Sequence, residues 1–222
     1  MGNFTHTQER ILKSAENIAP WVQMLREDFH RHPELRFEEH RTSEICALEL
    51  EKMGISVQRG VGQTGVVGTL ECVGGDGPVL AFRAEMDALA IQDLCGTSYQ
   101  SKNNGVAHLC GHDGHVATLL GAAKILGEIQ KTLTGTIKFI FEPSEEAVPP
   151  GEICGAEAMI SDGALENPDV DAIFGAHFYP DWKAGTVALK PGTVFSGNDV
   201  VRLTVHGQES HAAVPHRGVD AI

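Results

Sequence analysis

The sequence predicts an α/β protein: a mixed, largely parallel sheet flanked by helices, followed by the opening of a smaller α+β unit. Three observations carry that expectation. Short runs rich in Val, Ile and Phe alternate with longer stretches of helical periodicity, the pattern that makes parallel strands with helices on both faces. Polar residues gather just past the apolar runs, where ligands sit in open α/β sheets. From Gly192 the texture changes to a Gly- and Ser-containing stretch, GTVFSGND, and a fresh strand-like run.

Taken in order, residues 8–18 and 20–32 carry helical periodicity and read as two helices, the second with Pro20 near its first turn and Pro33 ending it. Residues 43–53 form a third, with Gly54 placed to cap its end. ISVQ and GVVGTLECV follow as strands, then VLAFR at 79–83. After a Gly- and Asn-rich loop, HVATLLGAAKILGEI places Val116, Leu119, Leu120, Ala123 and Leu126 on one helical face. TIKFIF (136–141) and DAIFGA (171–176) read as buried strands. The run VVRLTVHG reads as a strand of a second unit, and Ile222 falls inside what reads as that unit's first helix. The expected domains are residues 1–193 and 194–222.

Composition excludes several classes. Of 222 residues, 17 are Lys or Arg and 30 Asp or Glu, a net charge of −13 that repels nucleic-acid backbones and anionic lipid surfaces. No apolar run reaches the roughly 18 residues a membrane span needs, and the polar start lacks a signal-peptide core, so the expected location is the cytoplasm. His6 stands where an acylation motif needs Ser or Thr. Five cysteines without CxxC spacing argue for reduced thiols.

Applying the strand-end rule picks out Asp87 after VLAFR, Glu145 and Glu146 after TIKFIF, and His177 after DAIFGA. HLCGHDGH, residues 108–115, immediately precedes a helix and brings Cys110 and His112 two positions apart. A helix N-terminus there is expected to lower the cysteine pKa toward a ligating thiolate. The same segment also reads as a capping turn, with Asp113 as the cap. Each of the others has an ordinary alternative: Glu145-Glu146 as surface charge, His177 as a core histidine, Asp87 as a helix cap. His30 and His32 are assigned to structure; His206 and His216 have no assignment. No nucleophile elbow, dinucleotide fingerprint or P-loop occurs.

Several separated motifs, in order, resemble one family: DFHRHPELRFEE (28–39), RAEMDAL (83–89), GVAHLCGHDGH (105–115), FIFEPSEE (139–146), DAIFGAHFYP (171–180) and LTVHGQESHAAVPHRGVDAI (203–222). The resemblance is to the amidohydrolase branch of the aminoacylase and carboxypeptidase-type dinuclear metallopeptidases. It implies a zinc-peptidase-like catalytic domain with an inserted dimerisation or lid domain, and a homodimer. It implies two divalent ions, zinc or manganese with cobalt or nickel as alternatives, held by Cys110, His112, Glu146 and His177. Glu145 would be the general base on a metal-activated water, Asp87 would orient a ligand, and His211 would steady the oxyanion across a dimer interface. The implied substrate is an N-acyl amino acid or short peptide.

Glu85, Ala90 and Ser144 depart from the branch, which usually has Asp, Pro and Ala there, and residues 147–155 form a longer loop. The branch also carries a last metal-binding histidine beyond this length. The alternative function is therefore a catalytically incomplete fragment retaining fold and partial metal binding. Thiol catalysis by Cys110 is the third reading.

Overall fold

The first helix is longer than its proline suggests. The computed structural model describes residues 6–146, 148–194 and 201–222. In it a single helix α1 (His6–Arg31) runs through Pro20, where the sequence reads as two. An interior proline costs roughly 3 kcal/mol. The helix continues because its apolar side is pinned from outside: Leu25 and Phe29 are buried, and Trp21 and Val22 pack against the same core. Gly121 on the neighbouring helix leaves room for this, since a Cβ there would lie 2.9 Å from Val22 Cγ2.

Helix α2 (His40–Lys52) buries Thr42, Cys46, Ala47 and Leu50, one face at helical spacing. It stops at Gly54, whose φ of +76° suits a residue without Cβ. The Ile55 N–H then reaches the Leu50 carbonyl at 3.1 Å and the Gly54 N–H the Glu51 carbonyl at 2.9 Å, a Schellman closure.

Five strands follow, β1 (Ser56–Val61), β2 (Gly65–Glu71), β3 (Val79–Glu85), β4 (Thr136–Glu142) and β5 (Ala172–Gly175), in sheet order β1-β2-β4-β3-β5. β3 runs parallel to β4 and β5, β2 antiparallel to β1 and β4, so β2 alone is reversed in a largely parallel sheet. Period-two alternation divides the strands between two cores. Val66, Leu70, Ala84, Ile137, Phe139 and Phe141 face α1, α2 and α3 (His112–Ile129). Val67, Ala81 and Ile140 face Met159 of the short helix α4 (Gly155–Ser161) and Ala164. Helix α3 is buried on most sides because it lies between the sheet and the other helices. β5 corrects the expectation of a buried strand: Ile173 and Phe174 are exposed, because among the described residues β5 pairs with β3 alone and stands at the sheet's edge.

The parallel register aligns the carboxyl ends of β3 and β4, pairing Glu85 with Glu142. Asp87, Glu145 and Glu146 lie just beyond those ends, and His177 just beyond β5. Among the described residues no helix is long and apolar enough to cross a membrane.

The chain divides into two compact units, Met1–Asp181 and Trp182–Ile222. Within the second, residues 201–207 form no strand, and the helix expected at the end is replaced by a single 3₁₀ turn, Pro215–Arg217, and one bridge, Gln208 to Val219. A strand needs neighbours to satisfy its backbone, and among the described residues of this unit none pairs with 201–207. Residues 195–199 of the expected linker, Val200 and Ala147 lie outside the described residues.

Candidate metal centre

The site begins at a glycine. Gly111 sits at the N-cap of α3 with φ +91°, and that left-handed turn sets Cys110 and His112 on either side of the helix start. His112 is buried, 1% exposed. Its Nδ1–H donates to the Asp87 carbonyl at 2.9 Å, with Asp87 Oδ1 at 3.3 Å. This fixes the tautomer and leaves the Nε2 lone pair free. Nε2 is buried without a hydrogen-bond partner, facing Glu145 Oε2 at 3.8 Å and Glu146 Oε1 at 3.9 Å.

The end of β4 supplies those carboxylates through a constrained turn. Ser144 adopts φ +49°, unusual for a residue with a side chain. It is held there by the buried Glu39 carboxylate, which accepts its N–H at 2.9 Å, and by Arg36, whose Nε donates to its hydroxyl at 3.1 Å. Glu146 is fixed one step on, its N–H donating to Asp87 Oδ2 at 2.8 Å. Asp87 thus bonds Glu146 and approaches the imidazole of His112; it caps no helix. At the end of β5, His177 Nδ1–H donates to the Phe178 carbonyl at 2.7 Å, which turns Nε2 toward Cys110 Sγ, 3.3 Å away.

Ligand atoms of Cys110, His112 and His177 lie within 4.8 Å of one another, as do those of His112, Glu145 and Glu146, so His112 joins two potential ion sites. Sulfur, imidazole and carboxylate donors suit a divalent transition metal, and a buried, unpartnered imidazole nitrogen at the centre is what such an ion would satisfy.

Electrostatics sharpens the picture. Burial, then the carboxylates of Glu146, Glu145 and Glu85, push the Cys110 thiol up to about 12. This reverses the expected helix-terminus effect: burial and three nearby anions outweigh half a unit of helix dipole. Burial raises Glu145, with Glu146 adding to it. Burial pulls His112 down, but Asp87 and Glu85 more than offset it and the net shift is upward. A cation in this pocket relieves all three.

The sequence pointed to Cys110, His112, Glu145, Glu146, His177 and Asp87, and the structure brings these six together. His211 lies in the second unit, exposed, with its Nδ1 accepting the Ala213 N–H at 3.1 Å. His30 is buried at 2.8 Å from Asp113 Oδ2, and His32 bonds the Asp28 carbonyl at 2.9 Å. Sequence reasoning missed a second network. His115 donates from Nδ1 to Glu85 at 2.9 Å, Arg83 reaches Glu85 at 2.6 Å, and Arg83 also binds Glu142. The signal was present as charged residues inside the apolar strands VLAFRAE and TIKFIFE.

The profile of peptidase family M20/M25/M40 matches residues 81–222. "Thermostable carboxypeptidase 2" of Saccharolobus solfataricus is 37% identical over 96% of this chain and 53% of its own length. "N-acetyl-L-cysteine deacetylase" of Bacillus subtilis is 40% identical over 89% of this chain and 46% of its own. Among solved structures, the Bacillus subtilis YXEP protein, described as a dinuclear metal binding peptidase, superposes with a TM-score of 0.73 at 37% identity, covering 80% of this chain and 48% of that one. The chain spans about half the length of the curated relatives it matches. On the profile match and these identities, the chain belongs to peptidase family M20/M25/M40.

Proposed function

We propose that this chain carries the metal site of an amidohydrolase that cleaves the amide bond of N-acyl amino acids or short peptides, releasing a carboxylate and an amine. One observation carries the reading: side chains from the start of α3 and the ends of β4 and β5 converge on the buried, unpartnered Nε2 of His112. The relatives' names, a deacetylase of an N-acyl amino acid and a carboxypeptidase, support the substrate class.

In this reading Cys110, His112, Glu146 and His177 hold two divalent ions, zinc or manganese, with cobalt and nickel as alternatives. Such ions polarise the scissile carbonyl and make water acidic enough to lose a proton near neutrality. Glu145, 41% exposed at its side chain, faces both the pocket and solvent. Its raised pKa suits a group that must take a proton and give it back. It removes a proton from the attacking water as the C–O bond forms, then delivers it to the amine nitrogen as the C–N bond breaks. Asp87 holds His112 in the ligating tautomer, and His211 steadies the oxyanion across a homodimer interface. Residues 1–193 form the catalytic segment and 194–222 open the lid and dimerisation domain. The free cysteines support a reducing, cytoplasmic setting, and the net charge of −13 disfavours nucleic-acid and membrane partners.

The 3.3 Å contact between Cys110 and His177 gives thiol catalysis one observation in its favour. Against it, a catalytic thiol needs a depressed pKa, and this one is raised to about 12 by burial and then by its carboxylate neighbours. Chelation separates the two. EDTA is expected to abolish hydrolysis of N-acetyl amino acids, with zinc or manganese restoring it; full activity in EDTA would establish the thiol route instead.

A further inference from the structure

We propose that His115, held by Glu85, is a positioning residue that docks the segment carrying His177 onto the start of α3; this rests on the reading of His177 as a metal ligand.

His177 has an unusual problem for a ligand. It follows a four-residue edge strand, and the residues around it, including Phe178, are exposed. Nothing in β5 itself fixes where the imidazole goes, whereas Cys110 and His112 are set by the helix start. Three contacts on Phe178 supply the missing restraint. The Phe178 N–H donates to His115 Nε2 at 3.0 Å. The Phe178 ring meets the His115 ring edge-on, centroids 4.9 Å apart. That ring also seats where Gly114 has no side chain, since a Cβ there would come within 2.1 Å of it. With Phe178 held, its carbonyl holds His177 Nδ1 and aims Nε2 at Cys110.

His115 can accept from Phe178 only if its own proton sits on Nδ1, and Glu85 enforces that by accepting from Nδ1 at 2.9 Å. Arg83 anchors Glu85 in turn and ties it to Glu142 at the end of β4. Both nitrogens of His115 are thereby engaged with protein groups. Although Glu85, His112 and His115 offer donor atoms within 4.8 Å of one another, His115 serves this relay and does not ligate.

The test is cobalt(II) binding, read by chelator competition for affinity and by the thiolate-to-cobalt absorption that Cys110 contributes. His115→Gln reaches the Nε2 position and keeps an acceptor for the Phe178 N–H. His115→Asn reaches only the Nδ1 position, keeps a donor for Glu85 and removes that acceptor. The Asn variant is expected to bind cobalt about 10- to 100-fold more weakly, with the thiolate band retained and the metal-free Tm matching that of the Gln variant, which binds normally. Equal affinity in the two variants, whether both normal or both weak, overturns the proposal. Gly114→Ala leaves His115 whole and displaces the Phe178 ring, so it should weaken binding by an independent route even if His115→Asn does not fold; unchanged affinity there also counts against it. His177→Ala is the control: normal cobalt affinity in that variant would overturn the ligand assignment itself.

Discussion

At the scale of the residue, the site is a set of groups that repel one another until a cation arrives. Glu145 and Glu146 adjoin on one turn, Glu85 is close by, and burial together with all three holds the Cys110 thiol protonated. The roles of the two adjacent glutamates should separate in mutants. Glu145→Gln keeps the shape and removes the proposed base, so metal content measured by elemental analysis is expected to stay at the wild-type value while kcat falls about 10²- to 10⁴-fold. A near-normal kcat would remove Glu145 from the proton transfers. Cys110→Ala is expected to lower bound metal per chain, because it deletes a donor that also sits 3.3 Å from His177; unchanged stoichiometry would take the thiol out of the ligand set. These residues were legible because strand ends and a helix start are where side chains project into a cleft. Ser144, Glu39 and Arg36 were not, because their function is to hold a turn with φ +49°, and one sequence does not show which turn is constrained.

At the scale of the element, what positions the centre is the joint between α1 and α3. Asp113, in the first turn of α3, is buried and receives Arg26 Nε and His30 Nδ1, each at 2.8 Å. The two helices are thus pinned by charge next to the proposed ligands, with Leu25 and Phe29 supplying the apolar contact. Removing one member of a buried charged set costs about 3 kcal/mol, so Asp113→Asn is expected to lower the urea midpoint of the metal-free protein correspondingly. His30 adds a pH signature. Its hydrogen bond to Asp113 raises its pKa above the ordinary 6.5. A raised folded pKa means its contribution is complete below about pH 6.5 and lost as pH rises through the folded value. The stability gap between the wild type and His30→Gln should therefore narrow with rising pH; a gap that widens would contradict a charged imidazole there. The sequence shows why α1 was misread as two helices. Proline's local cost is visible in it, while the packing that overrides the cost, Val22 against Gly121, is a contact about a hundred residues away. The strands of the sheet were legible because their alternation is local, whereas the exposure of β5 depends on what pairs with its far edge.

At the scale of the whole molecule, the proposed role of His211 would draw two chains into one site. The protein is acidic, with a net charge of −13, so recognition of the proposed acyl-amino acid substrate, an anion, would rest on local cations and hydrogen-bond donors. His211 is the candidate in the second unit, exposed and with Nδ1 already accepting from the Ala213 backbone, which leaves Nε2 to act as a donor. If His211 serves the partner's site in a homodimer, the residue and the base act in different chains, and that arrangement is open to complementation. Glu145→Gln and His211→Ala homodimers should each be nearly inactive on an N-acetyl amino acid. Mixed and allowed to exchange subunits, about half of the dimers become hybrids in which one of the two sites has both residues intact. Activity should then recover to about a quarter of the wild-type rate per site, and the recovery should track the rate of subunit exchange. A mixture that stays as inactive as its parents, with exchange verified independently, would place His211 in its own chain's site or outside the reaction altogether.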